Sequence, residues 1–214
     1  MAAKFINPYI ERIRQHRDII VTAESRDSLN GRRFFDPQKR LIVDVGCGSG
    51  NFLRDYAISN PDARFLGFEL RFKRLVKGAV KFKKHNIANV RLIRTRAEEI
   101  ADWIAPESAF EIHIAFPDPW AKKKRQRKHR LITAEYLSTI RSLLARGGCF
   151  VFKTDHEEYF REVKELLKQQ SDLKLIEYSE DLHRSEYDKR NIPTEFELLF
   201  KGKGYPVFYL RTQA

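Results

Sequence analysis

Cysteine and long apolar runs are both scarce in this chain of 214 residues. The two cysteines, Cys47 and Cys149, each follow a glycine, so neither a disulfide framework nor a cysteine metal site is expected. No apolar run approaches the roughly 18 residues that span a bilayer, and the first residues lack the apolar core of a secretory signal. We therefore expect a cytoplasmic protein without membrane segments. No cluster of His, Cys and Asp shows metal-ligand spacing, so we also expect no catalytic metal.

Acidic residues are also in short supply. The chain carries 41 Lys and Arg against 29 Asp and Glu, which gives a formal net charge of +12. A field of this sign favours a polyanionic partner, with nucleic acid as the first choice and an acidic membrane surface as the second. With 42% hydrophobic residues, the chain is long enough for one well-buried domain and short for two.

The alternation of apolar runs and amphipathic segments predicts the fold class. Residues 1–38 are basic and polar, and we expect an N-terminal arm there that is mobile until a ligand binds. Over residues 39–214, strands alternate with helices, which indicates an α/β domain with a mostly parallel sheet covered on both faces. The predicted strands are 41–45, 64–68, 90–94, 110–116, 149–153, 173–178 and 207–210. The predicted helices are 51–59, 72–84, 98–104, 133–145, 156–169 and one that starts after Thr194.

A glycine-rich turn follows the first predicted strand of the domain. Asp44 is the last residue but one of that strand, and the turn then places glycine at Gly46, Gly48 and Gly50 before a helix. Glycines there let the backbone approach a ligand closely, and the helix N-terminus adds partial positive charge. A dinucleotide fingerprint needs Gly or Ala where Asn51 stands, whereas G-x-G-x-G after an acid is the pattern of S-adenosylmethionine-dependent methyltransferases. Glu69 ends the next strand, where a carboxylate can accept both ribose hydroxyls. The competing interpretation is a tight turn beside a solvent-facing Glu69.

A stiff turn and a dense cationic tract follow the predicted strand 110–116. Asp118 lies between two prolines and is followed by Trp120, so it sits on a rigid turn at a strand's carboxyl end, where ligands bind in open α/β sheets. The predicted RNA-contacting residues after it are Lys123, Lys124, Arg125, Gln126, Arg127 and Lys128. A rigid acid, an aromatic ring and a polycation suit a site that holds a nucleobase while binding its phosphates. A solvated basic helix is the alternative for the charge run alone.

Two later segments allow both a structural and a functional interpretation. Asp155 leaves the strand 149–153, near Asp118 in a parallel sheet, and could also be the N-cap of the helix that begins at His156. Residues 194–197 have the spacing of a capping box, which predicts a short helix after Thr194. The same residues could hydrogen-bond a base.

These motifs together resemble those of the bacterial tRNA (guanine-N7-)-methyltransferases. The resemblance covers residues from about 39 onward, and the motifs fall in the family's order: the glycine turn, Glu69, the segment 116–122 (FPDPWAK), residues 153–155 (KTD) and residues 194–197 (TEFE). Residues 12–16 (RIRQH) also resemble the family's N-terminal segment. Two positions depart from the family's pattern. Asp44 stands where Glu is more usual, and Arg96 stands where many relatives carry Asp or Asn.

The resemblance implies a Rossmann-like class I S-adenosylmethionine-dependent methyltransferase that methylates guanine N7 at position 46 in the variable loop of tRNA. It implies that Asp118 is the catalytic residue, and it assigns substrate contacts to Lys122, Asp155, Thr194, Glu195, Phe196 and Glu197. The implied cofactor-binding residues are Asp44, Gly46, Gly48, Gly50, Glu69, Arg96, Ala97 and Asp118. An arginine cannot accept hydrogen bonds from the adenine amino group, so at position 96 that contact must come from the backbone or be lost. No obligatory protein partner is expected.

The chemistry of guanine N7 suggests the role of Asp118. The N7 lone pair needs no deprotonation, so alignment matters more than a strong base. Asp118 would accept hydrogen bonds from the guanine and offset the charge that develops on the methylated ring. The alternatives are a methyltransferase acting on an adenine or protein amino group and a non-catalytic RNA-binding module.

Overall fold

The computed structural model describes residues 7–29, 36 and 38–214. Within those residues the strands are β1 (Ile20–Val21), β2 (Leu41–Val45), β3 (Arg64–Phe68), β4 (Val90–Ile93), β5 (Ala109–Ala115), β6 (Leu144–Thr154), β7 (Lys174–Ser179) and β8 (Phe208–Gln213). The α-helices are α1 (Tyr9–Arg14), α2 (Asn51–Ser59), α3 (Phe72–Lys84), α4 (Ala134–Leu143), α5 (Glu157–Lys168) and α6 (Glu195–Gly202). Short 3₁₀ helices span Ala23–Leu29, Ala97–Asp102, Lys124–His129, Leu182–Arg184 and Glu186–Arg190.

The strands form one eight-stranded sheet in the order β1-β4-β3-β2-β5-β6-β8-β7. The pairs from β1 to β6 are parallel, and β8 runs antiparallel between β6 and β7. The central strands are buried on both faces: all five residues of β2 are buried. Strands of this kind need helices on both sides. The predicted mostly parallel sheet is therefore observed.

Each face of the sheet has its own hydrophobic cluster. On one face, α2 and α3 pack Phe52, Leu53, Leu75 and Phe82 against the strands. On the other face, α4 and α5 pack their apolar stripes, including the buried Tyr159. The sheet is thus held between two helical layers, and its carboxyl edge is left for ligands.

The first described residues extend the packing of the sheet beyond the predicted domain. Ile13, Ile19, Ile20 and Val21 are each 5% exposed or less. The short strand β1 pairs with β4, with Ile20 opposite Leu92. The segment Tyr9–Val21 therefore packs on the domain. The predicted arm over residues 1–38 stays a prediction for 1–6, 30–35 and 37, which lie outside the described residues.

The largest difference from the predicted elements lies between α4 and β6. The helix ends at Leu143 and β6 begins at Leu144, five residues before the predicted strand. Gly147 adopts φ +75, and a Cβ on Gly148 would lie 2.9 Å from the Ala109 carbonyl oxygen. The two glycines thus permit an irregular, closely packed stretch inside the strand instead of ending a helix.

The longest described helix, α3, has 13 residues, so no described helix is long and apolar enough to cross a bilayer.

Candidate functional site

The carboxyl ends of β2, β3, β5 and β6 lie at one edge of the sheet. Val45 pairs with both Phe68 and Ile114, and Ala115 pairs with Lys153, so these four strands end nearly level. The predicted site residues that follow these ends are Gly46, Gly48, Gly50, Glu69, Asp118 and Asp155. Because β2 lies between β3 and β5, the glycine turn sits where the strand order reverses, the usual ligand position in such sheets.

The glycine turn adopts a backbone that other residues avoid. Gly46, Gly48 and Gly50 have φ values of +81, +57 and +71. A Cβ on Gly50 would lie 2.7 Å from Cζ of Phe82, so this glycine also allows α2 to pack on α3. The Gly46 amide donates to the Phe68 carbonyl at 2.8 Å, which ties the turn to the end of β3. The spacing in the sequence therefore has two physical causes, left-handed backbone and close packing.

Asp44 is a buried carboxyl group under the turn. It is 4% exposed, and burial raises its pKa to about 7; nearby Glu69 acts in the same direction, while the ammonium of Lys153 opposes the shift. Near neutral pH this group therefore exists in both protonation states and can donate as well as accept hydrogen bonds.

Glu69 has one oxygen engaged by backbone and the other near an arginine. It is 8% exposed. Its Oε1 accepts from the Arg71 amide at 2.8 Å, and its Oε2 lies 3.6 Å from Nη1 of Arg74. The backbone contact fixes the carboxylate at the end of β3, as the ribose-binding prediction requires.

The segment after β4, where the adenine is predicted to lie, has several of its polar groups engaged within the protein. The Arg96 side chain is exposed and lies 3.6 Å from the Glu98 carboxylate. The Ala97 carbonyl accepts from the Tyr136 hydroxyl at 2.7 Å. The Arg96 amide donates to Oε2 of Glu99 at 3.3 Å, so the amide of Arg96 is engaged within the protein, and the contact with adenine stays a prediction.

A cavity of about 730 Å³ lies between the glycine turn and α6. Its walls include Asp44, Gly46, Gly48, Thr194, Glu195 and Phe196. Oε2 of Glu195 accepts hydrogen bonds from the side chains of Ser49 and Asn51, each at 3.3 Å, so it links the helix to the turn. Among the described residues that line this cavity, Glu69, Arg96, Ala97 and Asp118 are absent. The structure therefore joins the predicted glycine turn to the predicted 194–196 segment in one cavity and leaves those four residues outside its lining.

A buried ion pair anchors α6 to the sheet. Nζ of Lys153 in β6 lies 2.8 Å from Oε2 of Glu197, and the two side chains are 7% and 0% exposed. Asn191 donates to Oε1 of Glu197 at 2.5 Å, and burial lowers the Lys153 pKa. The predicted capping box is confirmed, since Glu197 N donates to Oγ1 of Thr194 at 3.1 Å and Glu197 accepts in return. With both oxygens engaged, Glu197 has a positioning role here, and its contact with substrate stays a prediction.

The turn that carries Asp118 is fixed by its backbone conformation and by hydrogen bonds. Phe116 and Trp120 have left-handed φ values of 53 and 46, and Asp118 Oδ1 accepts from the Trp120 amide at 3.1 Å. Nε of the buried Arg130 donates to the Pro119 carbonyl at 2.8 Å, and Arg130 also pairs with Glu162. The Asp118 side chain is exposed, and its Oδ2 has no partner among the described residues. A rigid turn thus presents one unengaged carboxylate oxygen.

The basic tract after this turn contains both free and paired cations. Within the described part of the chain, Lys122, Lys123, Arg125 and Lys128 are exposed and have no ion-pair partner. Arg127 instead pairs with Glu158 at 2.5 Å. Gln126 is partly buried, and the side chain of Lys124 lies outside the described residues. Among the predicted RNA contacts, Lys123, Arg125 and Lys128 are therefore the best supported, and Lys122, predicted to contact the substrate, is equally exposed.

The interpretation of Asp155 as a helix cap is wrong. His156 is the N-cap of α5, and its Nδ1 accepts from the Tyr159 amide at 3.2 Å. The Asp155 side chain is exposed, without a hydrogen-bond or ion-pair partner among the described residues. Sequence alone cannot decide which of two adjacent capping residues occupies the N-cap. The structure leaves Asp155 available for a ligand.

A second, smaller cavity of about 360 Å³ lies against the strands β5, β6 and β8. Its charged groups are already paired: Glu111 contacts His113 at 2.8 Å and Arg211 at 2.9 Å. Burial opposes ionisation of Glu111, but these two partners outweigh it and lower its pKa to about 2. This cavity therefore lacks the free groups found near the glycine turn.

Three potential metal ligands meet beside α6, although the sequence showed no metal spacing. Ligand atoms of His183, Asp188 and Glu197 lie within 4.8 Å of one another. Lys153 donates to Glu197, and His183 Nδ1 lies 2.9 Å from Asp188, so the cluster is already a hydrogen-bonded network beside an ammonium group. The absence of a catalytic metal stays a prediction.

Sequence reasoning missed Lys153 and Arg130 as site-building residues. A lysine within the apolar run of β6 signals a buried charge in need of a partner, but that partner, Glu197, is 44 residues away. Arg130 reads as the end of the cationic tract, yet it is 3% exposed and holds the Asp118 turn.

The chain matches a family model described as a putative methyltransferase over residues 38–210. A bifunctional glycosyltransferase/methyltransferase of Fusobacterium nucleatum is 40% identical over 91% of this chain and 29% of that protein. A tRNA (guanine-N(7)-)-methyltransferase of Thermotoga maritima is 30% identical over 86% of this chain and 57% of that protein. One of the same description from Mycoplasma genitalium is 34% identical over 79% and 82%. The chain thus spans less than two thirds of the first two relatives.

Solved structures confirm the fold class. A SAM-dependent methyltransferase from Aquifex aeolicus aligns with a TM-score of 0.56 at 14% identity, covering 89% of this chain and 97% of that one. The 16S rRNA methyltransferase KamB aligns with a TM-score of 0.64 at 15% identity, covering 89% and 93%. The predicted Rossmann-like class I methyltransferase fold is therefore confirmed, and at these identities the likeness concerns fold alone.

Proposed function

The chain belongs to the family described as putative methyltransferases, and on that premise we propose that it transfers a methyl group from S-adenosylmethionine to guanine N7 in tRNA. Following the resemblance of its motifs, the proposed target is position 46 in the variable loop. One observation carries this proposal beyond methyl transfer in general. The carboxylate of Asp118, held on a rigid turn with one oxygen unengaged, lies between a glycine turn and a tract that carries free cations.

The residues near the glycine turn fit S-adenosylmethionine. The left-handed glycines allow backbone to lie against the ligand, and a carboxylate at Glu69 can accept ribose hydroxyls. The adenine is placed beside Arg96 and Ala97 after β4, where the Arg96 side chain lies near Glu98 and the Arg96 amide donates to Glu99. When bound, the cofactor supplies an electrophilic methyl group on a sulfonium.

Asp118 orients the target base. Guanine N7 attacks without losing a proton, so the protein's task is to hold the lone pair in line with the methyl group. The Asp118 carboxylate accepts hydrogen bonds from guanine N1–H and the exocyclic amine, and it stabilises the positive charge that develops on the ring. Asp155, on the neighbouring strand end, is free to contact the same nucleotide.

The basic tract binds phosphates next to the target nucleotide, and the start of α6 contacts the cofactor or the base. A guanine in folded tRNA must be unstacked before it can react, at a cost of a few kcal/mol. Phosphate contacts from Lys122, Lys123, Arg125 and Lys128 offset that cost. Thr194, Glu195 and Phe196 form the opposite wall of the cavity, where they contact the cofactor or the base. Activity in the cytoplasm without an obligatory protein partner belongs to the same proposal; the free thiols of Cys47 and Cys149 suit a reducing compartment.

Mapping the methylated base on purified tRNA tests the proposal. Labelled methyl groups should appear at N7 of a single guanine, which chemical cleavage at methylated N7 locates. Methylation of an adenine amino group, or of protein, would overturn the proposal in favour of an amino-group methyltransferase. Titration calorimetry with S-adenosylmethionine covers the remaining alternative, since a non-catalytic RNA-binding module should bind tRNA but no cofactor.

A further inference from the structure

Helix α3 is charged with one sign only. Its 13 residues include six Lys and Arg and no Asp or Glu. Helix α5, of 12 residues, packs on the other face with four acidic and three basic side chains. Two of the basic residues of α5 pair within the helix, Arg161 with Glu157 and Lys168 with Glu165. Helix α5 therefore mixes acidic and basic side chains on its surface, whereas helix α3 carries basic side chains alone.

Three lysines of α3 form a line on its outer face, which we call the lysine stripe: Lys73, Lys77 and Lys84. At 100° per residue, they fall within about 40° of one another around the helix axis. All three are exposed, and Val80 between them is 46% exposed. The buried residues Leu75 and Phe82 lie on the opposite side of the helix. The stripe thus faces away from the core along about 16 Å of helix.

The stripe lacks the partners that the other α3 cations have. Arg74 lies 3.6 Å from Glu69, Lys83 lies 3.0 Å from Asp18, and Lys81 donates to the Ser49 carbonyl at 2.8 Å. Within the described residues, no ion pair or hydrogen bond engages a side chain of the lysine stripe. Like charges four residues apart destabilise a helix, so Lys73 and Lys77 repel each other in the free protein. A polyanion would relieve that repulsion.

The position of α3 relates the stripe to the proposed RNA site. Three residues separate the end of β3 from the start of this helix, which begins at the edge that carries Asp118 and runs along the side of the sheet. Because β2 separates β3 from β5, the stripe and the basic tract lie on opposite sides of the glycine turn. Lys77 also lines the cavity beside that turn.

We propose that the lysine stripe is a second phosphate-binding surface, for a part of the folded RNA outside the target loop. This inference rests on the proposed function for the identity of the RNA. The tract binds phosphates near the reacting nucleotide, and the stripe binds backbone that continues past the opposite side of the site. The RNA that fits both surfaces is a folded molecule with more than one arm.

Salt-dependent binding of two RNAs tests the stripe. The test variant is Lys73→Gln/Lys77→Gln/Lys84→Gln. Its charge-matched control is Arg146→Gln/Lys168→Gln/Lys174→Gln, three exposed cations towards the amino edge of the sheet, of which Lys168 pairs with Glu165. Each variant lowers the net charge from +12 by three, to +9. Each protein is titrated with full-length tRNA and with a hairpin that contains only the target loop and its stem.

On full-length tRNA, the stripe variant should flatten the slope of log affinity against log salt by up to ~2.7, since each lost contact removes up to ~0.9. Between 50 and 200 mM salt, the wild type would then lose about 40-fold more affinity than the variant. The control should keep the wild-type slope, and on the hairpin all three proteins should bind alike. Equal slopes for stripe variant and control would overturn the inference, as would an equal loss on the hairpin. A wild type that leaves tRNA unmethylated would overturn the proposed function instead, while its binding slopes would still test the stripe.

Discussion

Two pairs of carboxylates at the same sheet edge differ sharply in exposure. Asp44 and Glu69, at the ends of β2 and β3, are 4% and 8% exposed. Asp118 and Asp155, after β5 and β6, are exposed. The buried pair is shielded from solvent before any ligand arrives, and the Arg71 amide holds Glu69, which suits a small cofactor with one binding mode. The exposed pair keeps unengaged oxygens, which suits a base that must arrive from a folded RNA.

Replacement of the buried Lys153–Glu197 pair should have the largest effect on stability, because this pair joins α6 to the sheet on the side that carries the exposed carboxylates Asp118 and Asp155. Lys153→Met leaves the Glu197 carboxylate buried without its cation, which should lower the free energy of unfolding by about 3–5 kcal/mol. Urea unfolding followed by circular dichroism measures this. The control is Lys153→Met/Glu197→Leu, which removes both charges and should recover much of the loss. A single variant as stable as the wild type would show that the pair does not anchor α6.

The buried carboxyl group of Asp44 should make the free energy of unfolding depend on pH. Its pKa is about 7 in the folded protein and near 3.8 in the unfolded chain, so the folded state binds more protons between those values. Its contribution to stability is therefore fully present below pH 4 and declines until about pH 7. Three pKa units set a ceiling of about 4 kcal/mol on that decline. Asp44→Asn should remove it, so the variant gains stability relative to wild type between pH 4.5 and 7.5. A constant difference between the two proteins would contradict the shifted pKa.

The elements around the buried carboxylates Asp44 and Glu69 were the easier ones to predict from sequence. The bounds of β2, α2, β3 and α3 agree with their predictions, because continuous apolar runs and a 3.6-residue period leave few alternatives. The positive φ values of the three glycines follow from their spacing in a turn. By contrast, β1 has two residues, too few for any periodic signal.

The region around the exposed carboxylates Asp118 and Asp155 depends on contacts between residues that are distant in sequence. Arg130 holds a turn 11 residues earlier, and Lys153 finds Glu197 44 residues later. Charge runs do not show which members are paired, and Arg127 differs from its exposed neighbours only through Glu158 on another helix. The motifs could therefore be predicted on this side, but the partners that position them could not.

Replacement of Asp118 should affect turnover more than binding. Asp118→Asn keeps the shape and exchanges a charged acceptor for a partial donor. Turnover should fall by roughly two or more powers of ten while tRNA affinity stays nearly unchanged. Single-turnover kinetics and a filter-binding titration measure the two quantities separately. A fall in affinity with turnover intact would make Asp118 a binding residue and contradict the orienting role.

Glu69 should affect the cofactor alone. Glu69→Ala should weaken S-adenosylmethionine binding by roughly 1–3 kcal/mol, since a charge-assisted hydrogen bond is lost. Glu69→Gln is the matched control, because its amide oxygen can still accept from the Arg71 amide and should lose less affinity. Titration calorimetry measures both. Cofactor affinity within a factor of two of wild type for the Ala variant would exclude the ribose contact.

The smallest effect per residue is expected in the basic tract, and it separates free from paired cations. Lys123→Gln/Arg125→Gln/Lys128→Gln removes three exposed charges, which should weaken binding to every tRNA alike and flatten the salt slope by up to ~2.7. Arg127→Gln is the control, because its guanidinium is engaged by Glu158 and should change the slope by well under one unit. The same guanine should still be methylated at high enzyme concentration, since phosphate contacts position the RNA while Asp118 selects the base. An unchanged slope for the triple variant would make the tract a solvated surface, and the lysine stripe of α3 would then be the main phosphate contact.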